Sequence, residues 1–126
     1  MSEVYSTRAL CGILSVLTEA HEKMRAASQR EYESATVRSL EIRDLFRDCY
    51  RMRYQLSIIA EQGVINASEA AFRKMRDIRD FLSTGGELES ADYENLRTDW
   101  GALFRRLQHS MRLELRIGKV ELTGGS

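Results

Sequence analysis

The chain contains no proline, and that absence says more about its fold than any single residue that is present. Proline breaks helices by removing a backbone donor and clashing with the preceding turn, so its absence leaves long helices free to form. Lysine is almost as scarce: Lys23, Lys74 and Lys119 are the only ones. Arginine takes over the basic role, as GC-rich coding favours, and its planar guanidinium also suits protein interfaces. The two cysteines, Cys11 and Cys49, are too few for a disulfide framework or a four-ligand zinc site. A reducing, cytoplasmic setting is therefore the expectation.

Histidine is limited to His21 and His109. Carboxylate-bridged di-iron bundles use Glu-x-x-His on two helices, whereas the residues three before these histidines are Thr18 and Arg106. No metal or cofactor is expected, and no enzymatic activity. No excess of either charge exists, with Lys plus Arg at 19 and Asp plus Glu at 19. Such a balance argues against a dedicated electrostatic binder of nucleic acid or anionic lipid. Long apolar runs are missing too: no window approaches the roughly eighteen residues a membrane span needs. The N-terminal apolar stretch comes after Glu3 and lacks a small-residue cleavage pattern, so a signal peptide is not expected.

The chain's dominant pattern is heptad spacing. From Val37 to Gln62, the residues Ile42, Leu45, Cys49, Met52, Leu56 and Ile59 recur at alternating intervals of three and four. At about 1.5 Å per residue this helix would extend roughly 40 Å, long enough to serve as the spine of the fold. A first helix, starting near Ser6 or Thr7, carries the seam Leu10, Ile13, Leu17, Ala20, Met24, Ala27. Between the two seams the register slips, which predicts a turn near Ser34 to Thr36 and an antiparallel hairpin in preference to one continuous rod. Gly63 is placed to end the second helix, and Asn66 with Glu69 has the form of a capping box for a third. That shorter helix carries Ala71, Met75, Ile78 and Leu82, with Phe72 and Phe81 at its flanks, and stops at Thr84-Gly85-Gly86. Ser90 then caps a fourth helix with the seam Tyr93, Leu96, Trp100, Leu103, Leu107, Met111. Its end is expected near Ile117, with a short extended tail as the alternative and disorder from Thr123 to Ser126. The expected fold is thus all-α, an antiparallel bundle of three long helices and one shorter one. It forms a single domain over residues 1–126, with helices near 6–32, 36–62, 67–83 and 90–117.

Chemical motifs are few. His21 reads as a bundle-flank histidine. The stretch His21-Glu22-Lys23-Met24-Arg25 departs from phosphorylated-helix boxes in its spacing, and it carries neither the Pro of a kinase box nor the Lys-Gly of a phosphotransfer box. Cys49 sits on a seam as a small hydrophobe, and Gly85-Gly86 lacks the Lys-Ser/Thr of a phosphate loop. The positive signal is a ridge on the second helix: Arg43, Arg47 and Arg51 at intervals of four, with Tyr50 and Tyr54 beside them. Arg and Tyr anchor protein interfaces and can also stack on nucleic-acid bases. Asp44 and Asp48 lie three before Arg47 and Arg51, so ion pairing along a solvated helix is the plainer reading.

The two helices from Leu10 to Gln62 loosely resemble, in heptads and charge, those of small flagellar and type III export chaperones. The Asn-rich pattern of a C-terminal helix that goes with one such family is absent from Leu107 to Ile117. The functional expectation is a non-enzymatic interaction module, an adaptor, inhibitor or export-type chaperone, binding one partner protein through the ridge; a homodimer is compatible with it. A nucleic-acid-associated regulator using the same ridge is the alternative, and a metal or cofactor bundle enzyme a third.

Overall fold

The computed structural model describes the backbone of residues 2–124 and the side chains of residues 10–114. Its helical segments are α1 (Ser2–Ser28), α2 (Ala35–Leu45), α3 (Arg47–Ile59), α4 (Gln62–Ser83) and α5 (Ala91–Gly124). No strand occurs among the described residues, and the all-α bundle expected from the sequence is the architecture found. Segments α2 and α3 are one helix bent at Phe46, so the bundle has four arms.

The first hairpin forms because both sides of its connection are capped. Tyr32 Oη donates to the Ala27 carbonyl at 2.8 Å at the end of α1, and Ser34 Oγ accepts from the Val37 amide at 3.2 Å at the start of α2. Every residue of the α1 seam, from Leu10 to Ala27, is buried. Cross-helix contacts fix the directions of the other arms. Arg38 reaches the Leu82 carbonyl, Tyr50 meets Arg79 and Arg53 meets Glu69, so α4 runs antiparallel to α2 and α3. Lys74 faces Asp99, and the Glu61 amide faces Glu114, so α5 runs antiparallel to α4.

The structure corrects the expected spine in two places. Phe46, not Leu45, is the fully buried residue after Ile42, and the chain tightens there: the Phe46 amide bonds the Arg43 carbonyl at 3.2 Å and the Cys49 amide bonds the Phe46 carbonyl at 3.0 Å. These are short-range bonds of the three-residue type, which let the ring turn inward at the cost of a bend. Helix α3 then ends at Ile59, before Gly63. Ala60 and Glu61 are extended, and α4 starts at Gln62 with Gly63 in its first turn. The Glu61 side chain makes no cap; its amide instead donates to Glu114 Oε1 at 2.6 Å, a cap supplied from α5. The expected capping box is absent for the same reason: α4 already passes through Asn66 and Glu69, which pair with Gln62 and Arg53.

At its other end α4 closes with a Schellman motif. The Gly86 amide bonds the Phe81 carbonyl at 2.9 Å, the Gly85 amide bonds the Leu82 carbonyl at 3.3 Å, and Gly85 takes φ of 95°. The Phe81 ring lies where a Gly86 side chain would sit. Ser90 Oγ caps α5 through the Tyr93 amide at 3.1 Å, as its position predicts. Helix α5 continues past Ile117 to Gly124, so neither an extended tail nor a hairpin forms over that stretch; Gly125 and Ser126 lie outside the described residues.

Candidate protein interface

An aromatic cluster divides the two faces of the bent helix. Phe46 sits edge-on to Tyr50 with ring centres 5.3 Å apart, and Phe72 of α4 lies 5.2 Å from both. Two arginines cover the cluster, Arg79 over Phe46 and Arg53 over Phe72, each with its guanidinium carbon 4.9 Å from the ring centre. Arg79 is buried, and its Nη1 donates to Tyr50 Oη at 2.9 Å while Nη2 pairs with Asp80 at 2.8 Å. Burying a guanidinium is tolerable only with such partners.

The five ridge residues therefore separate. Tyr50 is half-exposed, but its ring and hydroxyl belong to this cluster, so it is a packing residue as much as a surface one. Arg43 turns toward α4 and lies 3.6 Å from Asp80. Arg47, Arg51 and Tyr54 point outward; Arg47 pairs with Asp44 at 2.6 Å across highly exposed side chains. An exposed pair of this kind contributes little to stability.

A different line of residues emerges on the outside. Val37, Leu40, Asp44, Arg47, Arg51, Tyr54 and Ile58 are spaced by alternating threes and fours, and every one is exposed. Relative exposure reaches 65% at Leu40, 69% at Tyr54 and 67% at Ile58. It is a second heptad stripe, apolar at both ends and charged in the middle, opposite the buried seam of Ile42, Phe46, Cys49, Met52 and Leu56. The ridge rule of fours caught its middle and missed Val37, Leu40 and Ile58; counting threes and fours outward from Arg47 would have found them. Each end adjoins a shallow hollow. One, of about 610 Å³, is lined by Val37, Leu40, Glu41, Arg43, Asp44 and Arg47. The other, of about 540 Å³ between α1 and α3, includes Ile13, Val16, Asp48, Arg51, Met52 and Ile58.

Two further polar side chains, His21 and Cys49, are drawn into the bundle. His21 on α1 meets Tyr93 on α5, Nε2 to Oη at 2.9 Å, with Trp100 edge-on at 6.1 Å. Burial first, then the neighbouring Arg25 and Arg97 charges, push its pKa down to about 4, so the ring is neutral near pH 7 and can accept a hydrogen bond from the Tyr93 hydroxyl. Cys49 is buried, and desolvation together with the Asp48 charge pushes its thiol up to about 12, which leaves it unreactive. Among the described residues no group of three or more His, Cys, Asp or Glu side chains is placed to hold a metal ion. No helix among them is long and apolar enough to cross a membrane. Compared with protein-family models, curated proteins and solved structures, the chain finds no match in any of the three.

Proposed function

We propose that this chain is a non-enzymatic protein–protein interaction module of the cytoplasm, a small adaptor, inhibitor or export-type chaperone, that presents the outer face of α2 and α3 to a helical partner. The observation that carries this reading is the exposed stripe from Val37 to Ile58. Large apolar side chains at heptad spacing are normally buried, and a row of them in solvent is what a partner helix covers. The stripe combines Leu, Ile and Tyr with Arg, the mixture that anchors interfaces. Protein is favoured over nucleic acid because Arg43 and Arg47 already face Asp80 and Asp44, which weakens their pull on phosphate.

The test is photo-crosslinking in the native host, with a photoreactive residue replacing Tyr54 and, as a control, the exposed Arg76 on α4. A defined protein adduct at position 54 and none at 76 is the expected result. Equal labelling at both positions, or none at 54, would remove the support for this face.

A further inference from the structure

The stripe has an internal symmetry that indicates its occupant. Count inward from its ends: Val37 and Ile58 are equidistant from a point between Arg47 and Asp48, and so are Asp44 and Arg51. Reversing the chain direction about that point therefore superposes Val37 on Ile58 at the two ends and acid on base in the middle. Val37 falls opposite the partner's Ile58, Leu40 opposite the partner's Gln55 and one residue from the partner's Tyr54, Asp44 opposite the partner's Arg51 and Arg47 opposite the partner's Asp48. The two hollows exchange places as well, because the residues of α2 and α3 that line one are close to the mirror count of those that line the other. Among the described residues neither Asp48 nor Arg51 takes part in an ion pair within the chain.

We infer that the stripe from Val37 to Ile58 is the contact face of a two-fold, antiparallel homodimer. A second copy of the chain is the partner that this charge pattern fits. Two-fold contacts use the same patch on both subunits, so a surface complementary to its own reversal satisfies the requirement without any further partner. The charges also choose the direction. A parallel pairing would set Asp44 against the partner's Asp44 and Arg51 against the partner's Arg51, and like charges facing each other are unfavourable. This inference rests on the reading that the face is a protein interface, and it names the partner.

Sedimentation equilibrium across a range of protein concentrations tests it. All proteins carry Cys11→Ser, which removes the exposed native thiol. The parent protein is expected to show a concentration-dependent monomer–dimer equilibrium. A chain with Arg47→Asp and Arg51→Asp, and another with Asp44→Arg and Asp48→Arg, should each dimerise about tenfold or more weakly, and a one-to-one mixture should recover the dimer. These side chains are exposed, so circular dichroism should report both variants as folded. For direction, Val37→Cys with Ile58→Cys should form a disulfide-linked dimer on mild oxidation, while Val37→Cys alone should not. A parent that stays monomeric at every concentration overturns the inference, as does ready crosslinking of Val37→Cys alone. A monomeric parent whose position 54 still crosslinks to a different protein would leave the interface reading standing, so the two failures are distinguishable.

Discussion

Replacing Phe46 with Ala is the most informative perturbation of the fold, because the bend, the aromatic cluster and a buried arginine all meet at that ring. Phe46 is fully buried, so its removal forfeits the transfer free energy of the side chain and leaves a cavity, about 3–5 kcal/mol together. The edge-on contact with Tyr50, the tilted contact with Phe72 and the Arg79 guanidinium at 4.9 Å place the site toward the upper end of that range. Alanine's better helix propensity offsets only a few tenths of a kcal/mol. For a chain of this size the loss corresponds to a fall in Tm of about 10–20 °C. Urea unfolding monitored by circular dichroism measures it, with Leu45→Ala as the comparison. Leu45 is only partly buried, and its truncation should cost about 1–2 kcal/mol. A Phe46→Ala variant that loses less than about 2 kcal/mol, or less than Leu45→Ala, would refute the assignment of Phe46 to the core.

Three other measurements bear on the polar contacts and the Gly86 turn. His21 holds its folded-state pKa down at about 4, below the ordinary value of 6.5, so between those values the unfolded chain binds a proton that the folded one does not; its contribution to stability is intact above pH 6.5 and is lost as pH falls toward 4. Imidazole resonances in an NMR titration should show the low pKa, and a value near 6.5 would contradict the buried contact with Tyr93. Tyr50→Phe should cost about 1 kcal/mol through the lost partner of the buried Arg79, whereas Arg47→Ala should change stability by less than about 0.5 kcal/mol; thermal melts of the two variants compare them directly. Gly86→Ala should lower stability by about 1–3 kcal/mol, because the new methyl group meets the Phe81 ring in the Schellman turn, and an unchanged urea midpoint would show that the ring moves aside freely.

How much of this was legible in the sequence depended on whether the pattern had one solution. The α1 seam did, and all six of its residues are buried. After Ile42 it did not: steps of three to Leu45 or four to Phe46 both lead to Cys49, and only the packing of Phe46 against Phe72 of α4 decides between them. The cap on Glu61 comes from Glu114, and the partner of His21 is Tyr93; such long-range contacts leave no mark in local spacing. Gly63 misled because a glycine next to a helix end resembles a stop signal whichever helix it belongs to. On the outer face, intervals of four picked out Arg43, Arg47 and Arg51, a row that winds around the helix. Intervals of three and four trace one line along it, and that line holds Leu40, Tyr54 and Ile58.

The central claim is that stability and binding occupy opposite faces of the bent helix. The most direct measurement pairs the Tm of a Leu40→Asp, Ile58→Asp variant with its crosslinking from a photoreactive residue at position 54. Both substituted side chains are about two-thirds exposed, so the melting temperature should shift by no more than about 2 °C while the adduct at position 54 disappears. An adduct that persists at full yield in the folded variant, or a variant that no longer folds, would contradict the claim.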